Sequence, residues 1–153
     1  MSQALEPLLG RAVAIAAVAH QNQLDKSNAP YILHPLRMMM RGETLLEKLV
    51  AILHDVVEDS DWTLEQLAHE GLPAPAIAAL DCLTRRPEET YDAFIDRVLT
   101  NSLAIRVKRY DLEDNMNLLR LQVLTDRDWE RLQRYHRAYQ RILQADHPHS
   151  SVA

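Results

Sequence analysis

Leu45-Leu46-Glu47-Lys48-Leu49-Val50-Ala51-Ile52-Leu53-His54-Asp55-Val56-Val57-Glu58-Asp59 is the stretch whose reading decides the fold. At ~100° per residue, Leu45, Leu46, Leu49, Val50, Ile52, Leu53, Val56 and Val57 cover a broad apolar arc. That periodicity predicts one amphipathic helix from Glu43 to Asp59. His54, Asp55 and Glu58 fall in the arc left over, with His54 and Glu58 on one face and Asp55 and Asp59 on another.

The charge at the end of this helix is unusual. A helix C-terminus carries partial negative charge and favours cations, yet Asp55, Glu58, Asp59 and Asp61 crowd it. No lysine or arginine occurs between Lys48 and Arg85. Either the acidic end is simply solvated, with His54 a lone surface histidine, or a divalent metal neutralises it.

The 153 residues are enough for one domain with a real core. The expectation is an all-α, single-domain helical bundle over residues 1–145, with 146–153 a polar, disordered tail. Hydrophobic content of 47% and charged content of 25% are ordinary for a globular protein. A net charge of −5 argues against a nucleic-acid or anionic-membrane partner. Cys82 is the only cysteine, which excludes an internal disulfide and a cysteine-based zinc site. No secretory start and no membrane-length apolar run is visible, so cytoplasmic is the expected location. The three glycines, Gly10, Gly42 and Gly71, are scattered, so no glycine-rich phosphate loop is present.

The rest of the chain also reads as helices. They are expected over Ala4–Gln21, Leu36–Arg41, a segment opened by a capping box at Thr63 to Gln66, Pro75–Thr84, Tyr91–Leu99, Ser102–Leu121 and Asp126–Gln144. Pro30 and Pro35 bracket His34 in a rigid, non-helical lead into the second helix. On the Ser102–Leu121 helix, Arg106, Arg109, Glu113, Asn117 and Arg120 form a face expected to meet solvent. Opposite them, between two apolar flanks, Lys108, Asp111 and Asn115 point inward. A buried carboxylate needs a metal, a cation or several hydrogen bonds. A structural Lys108–Asp111 network would serve as well as a ligand role.

His34, His54, Asp55 and Asp111 together make a two-histidine, two-carboxylate set. Imidazole and carboxylate without thiolate suit Mn²⁺, Fe²⁺, Co²⁺ or Zn²⁺. Such an ion acidifies a bound water and polarises a phosphoryl group. Glu58, one turn beyond His54, is placed to act as general base; Asp59 either assists it or caps the helix end. His20 reads as a core or supporting histidine, and Tyr135 and Tyr139 as core residues. His147 and His149 fall in the expected tail.

Four ordered blocks resemble one family. They are Ala19-His20-Gln21-Asn22-Gln23 with Lys26-Ser27 and Pro30-Tyr31-Ile32-Leu33-His34-Pro35; Leu53 to Asp59; Leu83-Thr84-Arg85-Arg86 with Tyr91 and Phe94; and Val107-Lys108-Arg109-Tyr110-Asp111 through Asn115-Met116. This pattern, from about Ala16 to Leu121, resembles the hydrolase domain of the RelA/SpoT group, within the HD-domain metal phosphohydrolases. The resemblance implies an all-helical HD fold and a metal, usually Mn²⁺, on His34, His54, Asp55 and Asp111. It implies Glu58 and Asp59 as the catalytic pair, and nucleotide contacts from Lys26, Ser27 and Asn115. The implied activity is removal of the 3′-pyrophosphate from (p)ppGpp by a stand-alone small alarmone hydrolase.

The match has departures. Asp25 stands where the family often has arginine, Asn22 and Asn28 where glycine is common, and Leu112 where a basic residue is usual. These alter the nucleotide shell and leave the metal set intact, which makes (p)ppApp or another phosphorylated nucleotide an alternative substrate. Other readings are an HD phosphohydrolase of a different phosphoester and a weakly catalytic nucleotide sensor.

Overall fold

The computed structural model describes residues 4–146. Its helices are α1 Leu5–Ala19, α2 Leu33–Arg41, α3 Leu45–Leu53, α4 Val56–Asp59, α5 Leu64–His69, α6 Ala74–Leu83, α7 Tyr91–Val98, α8 Ser102–Asn115 and α9 Asp126–Asp146, with a 3-10 turn at Leu118–Arg120. The described residues contain no strand, only an isolated bridge between Leu24 and Pro30. None of these helices is long and apolar enough to cross a membrane. Residues 147–153, which hold His147, His149 and most of the expected tail, lie outside the described residues. Asp146 itself closes α9, and its carboxylate accepts from Arg109.

The core forms around α3, whose Leu49, Val50, Ala51, Ile52 and Leu53 are fully buried. It packs against α1 and α2 on one side and α6 and α8 on the other. Burying a Leu- or Ile-sized side chain contributes about 1.5–3 kcal/mol, so this one helix anchors the bundle. Its start is set by Thr44, whose hydroxyl accepts from Glu47 N–H. The Thr63–Gln66 capping box forms as expected, and Asn101 caps α8 through Ala104 N–H.

The structure departs from the sequence reading at three places, each bearing on the site. The expected helix Glu43–Asp59 is two helices, broken at His54 and Asp55. His54 Nδ1 lies 2.8 Å from the Ala51 carbonyl oxygen, the acceptor that Asp55 N–H would use in a continuous α-helix. The side chain thus competes with the ladder at that point. The second helix begins at Leu33 rather than Leu36 and takes in His34 and Pro35. Proline is tolerated there because the first turn has no intrahelical use for its N–H.

The third departure concerns α8, which stops at Asn115, so Asn117 and Arg120 leave its wheel. The face expected in solvent is covered instead. Arg106 pairs with the buried Glu47 at 2.9 Å, Arg109 with Asp146, and Glu113 with Arg41 and Tyr139. Helix α9 lies across this face, and ion pairs satisfy polar groups that a wheel alone assigns to water. Leu119, beyond the end of α8 in the 3-10 turn, is 94% exposed.

Candidate metal centre and its cavity

Three helical segments deliver the ligand-type residues. His34 comes from the first turn of α2, His54 and Asp55 from the break after α3, and Asp111 from the inward face of α8. His34, His54 and Asp111 are buried at 4%, 3% and 6% exposure. One ligand atom from each lies within 4.8 Å of the others. His34 Nε2 is 3.1 Å and His54 Nε2 3.7 Å from Asp111 Oδ1. Asp55 joins through Oδ2, 2.8 Å from His54 Nε2 and 4.0 Å from His34 Nε2. Ligand atoms about 2.0–2.2 Å from one ion stand about 3–4 Å apart, and these four separations fit that spacing.

The ring nitrogens make the same point chemically. His34 Nδ1 is 2.6 Å from Asp114 Oδ2 and His54 Nδ1 2.8 Å from a backbone carbonyl. A carbonyl oxygen can only accept, so His54 Nδ1 carries a proton, and a carboxylate selects the same tautomer at His34. Both Nε2 atoms then turn lone pairs toward carboxylate oxygens. His54 Nε2 is buried with no hydrogen-bond partner despite its nearness to Asp55. Lone pairs and anions held together at such low exposure are stabilised by a cation or a proton between them.

The protonation tendencies express the same need. Burial would lower His54, but Asp55 and Asp111 raise it well above the ordinary histidine value. Burial would raise Asp111, but Lys108 and both imidazoles hold it well below the usual carboxylate range. The donor set, neutral imidazole with carboxylate, suits a borderline-to-hard divalent ion.

Supporting contacts hold each ligand. Lys108 Nζ donates to Asp111 Oδ2 at 2.6 Å and Asn115 Nδ2 to Asp111 Oδ1 at 2.7 Å. Tyr31 O–H donates to Asp55 Oδ2. On the inward face read from the Ser102–Leu121 periodicity, the Lys108–Asp111 network forms, and Asp111 Oδ1 lies beside both Nε2 atoms. His20 is buried, as expected of a supporting histidine, and meets Gln23 Oε1 at 2.8 Å. Asp114, Tyr31 and Glu47 were not singled out in the sequence. Asp114 lies three residues after Asp111, on the same helix face, which is the one signal that could have found it.

The ligand cluster forms the floor of a cavity of about 470 Å³. Glu58 lines it and accepts from Arg85 N–H at 2.6 Å. Partial burial pushes the Glu58 carboxyl up, against the pull of Arg85 N–H and with help from Asp55 and Asp59. Asp59 is exposed and is not among the lining residues; its backbone carbonyl accepts from Gln23 Nε2 at 3.1 Å. Burial pushes Asp59 up as well, with Asp55 adding to it.

Lys26, Ser27 and Asn115 all line the cavity. Burial and the nearby Arg131 push Lys26 down to about 8. Ser27 is tied to the Asp25 carboxylate through both its N–H and its hydroxyl. The same Asp25 oxygen accepts from Ala29 N–H, and Asn28 adopts the left-handed region at φ 62°. Asp25 therefore organises its own loop. Tyr91 and Tyr135 form part of the wall, with the Arg134 guanidinium 5.1 Å and 5.6 Å from their ring centroids.

No family model matches the chain. A solved structure of a metazoan orthologue of SpoT that hydrolyses ppGpp superposes with a TM-score of 0.73, covering 97% of this chain and 88% of that one at 19% identity. The chain therefore shares the all-helical fold of that protein. In sequence the chain is similar to SpoT-type (p)ppGpp proteins over 72% of its own length. It is 32% identical over 125 residues to a guanosine-3′,5′-bis(diphosphate) 3′-pyrophosphohydrolase of Vibrio cholerae serotype O1. It is 30% identical over 128 residues to the bifunctional (p)ppGpp synthase/hydrolase SpoT of Escherichia coli K12. Each match covers 72% of this chain and 18% of the relative. The chain thus spans less than a fifth of the length of those curated relatives.

Proposed function

We propose that the protein hydrolyses the 3′-pyrophosphate of guanosine or adenosine alarmones such as (p)ppGpp, releasing pyrophosphate. Mn²⁺ is the ion proposed for His34, His54, Asp55 and Asp111. The observation that carries this reading is the convergence of two Nε2 atoms and two carboxylates on the floor of a cavity walled by Lys26, Arg131 and Arg134. Homology to proteins named for ppGpp hydrolysis supports the substrate class.

His34, His54, Asp55 and Asp111 would hold a divalent ion, which would acidify a water and polarise a phosphoryl oxygen. Glu58 takes the proton of the attacking water, and its raised pKa suits that base to near-neutral conditions. Arg85 N–H aims the Glu58 carboxylate. Asp59, one residue on and nearer solvent, receives or relays the proton. Lys26, Ser27 and Asn115 face the nucleotide: Lys26 offers charge to a phosphate, Ser27 shapes its loop, and Asn115 orients Asp111 while lining the pocket. The tyrosine wall offers a face for the base.

The test is incubation of Mn²⁺-loaded protein with ppGpp, pppGpp and ppApp, followed by chromatographic resolution of the products. Pyrophosphate is the expected product from at least one of them. Orthophosphate would assign a different phosphoester chemistry, and no turnover of any would overturn the proposal.

A further inference from the structure

Asp114 is a buried carboxylate, 6% exposed, on the α8 face that also carries Asp111. Three cation-type side chains converge on it. His34 Nδ1 is 2.6 Å from Oδ2. Arg37, one turn after His34 on α2, grips both oxygens, with Nε 2.7 Å from Oδ1 and Nη2 2.9 Å from Oδ2. Arg120, from the 3-10 turn, approaches at 3.1 Å to the backbone carbonyl and 3.4 Å to Oδ1. Both arginines line the cavity wall. Asp114 therefore touches neither the ligand atoms nor the open cavity, yet it links the two.

We propose that Asp114 is a positioning residue for the ion site: its carboxylate fixes the His34 ring with Nε2 toward the ligand cluster, and is itself fixed by Arg37 and Arg120. The ring of a ligating histidine turns about χ1 and χ2, and a hydrogen bond at the far nitrogen fixes its orientation. The carboxylate also selects the tautomer that leaves Nε2 able to bind. A carboxylate with only His34 as partner would be free to swing. The bidentate Arg37 contact defines its plane, and Arg120 closes the remaining side. How tightly the ion is held thus depends on two guanidiniums that do not touch it. A purely architectural role, pinning α2 to α8, would need the ion pair alone and would leave the ion untouched.

This inference rests on the ion site proposed above, and a calorimetric Mn²⁺ titration of the metal-free protein separates the two. Binding of one ion by the wild-type chain, lost in His54→Ala, establishes the site. Binding of none would overturn that site and this inference together. With the site established, Asp114→Asn, which keeps an acceptor but loses the charge, is expected to weaken Mn²⁺ binding about 10–100-fold, the usual effect of removing such an outer partner. Asp114→Ala is expected to weaken it at least as much. Arg37→Gln alone also weakens binding, and added to Asp114→Asn it costs nothing further, because the arginine reaches the ion only through Asp114. Mn²⁺ affinity within threefold of wild type in Asp114→Asn, with melting of the metal-free protein showing it folded, overturns the proposal. Additive losses in the double variant overturn the arginine part of it.

Discussion

Lys108 Nζ lies 2.6 Å from Asp111 Oδ2, one turn apart along α8, with both side chains buried. The ammonium also sits 5.0 Å from the Phe94 ring centroid, so it is enclosed by its partner and by aromatic faces. Burial would lower the Lys108 pKa, but Asp111 and Tyr91 raise it. Without an ion, Lys108 is the nearest fixed positive charge that Asp111 has. Lys108→Met is therefore expected to destabilise the metal-free protein by about 3 kcal/mol, the cost of leaving a buried charge unpaired. The loss should be smaller with Mn²⁺ in excess, since binding to the folded state adds stability. Urea unfolding with and without chelator measures both.

Asp111→Ala is expected to lose both metal retention and hydrolysis, because it removes an oxygen that lies 3.1 Å from His34 Nε2 and 3.7 Å from His54 Nε2. Metal content after gel filtration, by elemental analysis, gives the first readout. Wild-type content in this variant would show that the inward face of α8 is not the ligand face.

Glu58→Gln is expected to keep the metal and lower kcat about 10²–10⁴-fold, the range for loss of a general base. The pH profile carries a second sign. Glu58 works only when ionised, and its pKa stands above the ordinary glutamate value. Activity of the wild-type protein should then fall as pH drops through that raised value, while the residual activity of the variant loses this acid limb.

Lys26, pushed down to about 8, loses its charge as pH rises through that value. Affinity for a polyanionic nucleotide should weaken over the same window, seen as a rise in KM with little change in kcat. In Lys26→Gln the KM is expected to be higher and flat between pH 7 and pH 9, about one unit either side of the wild-type transition.

Glu47 is 2% exposed and accepts from Glu43 N–H, Tyr110 O–H and Arg106. Burial would raise its carboxyl, but these donors hold it below the ordinary glutamate value. Its contribution is fully present above the unfolded value and lost as pH falls through the folded one. Glu47→Gln should cost about 1–3 kcal/mol at neutral pH, the range for hydrogen bonds to a buried charge, and less under acid conditions. Denaturant midpoints at pH 7 and at pH 3 would show the difference.

The proposed ligand set is legible in the sequence because its members stand out locally. His54 and Asp55 end an apolar helix, and Asp111 interrupts a buried face. What the periodicity could not show were effects acting across the bundle. The covered side of α8 was read as solvated because its charges find partners on α2, α3 and α9, distant in sequence. Asp114 escaped notice for the same reason: its partner His34 is eighty residues away. The break at His54 was hidden because a side chain aimed at its own backbone leaves the apolar pattern unchanged.

That break divides the labour along the chain. Leu53 and His54 are buried at the end of the central helix, whereas Glu58 rides on a separate segment of four residues with only Val56 buried. A substitution in that short segment can redirect the proton acceptor without disturbing the helix that anchors the ion. The fold thereby offers evolution, or an engineer, a short exchangeable segment mounted beside a buried anchor.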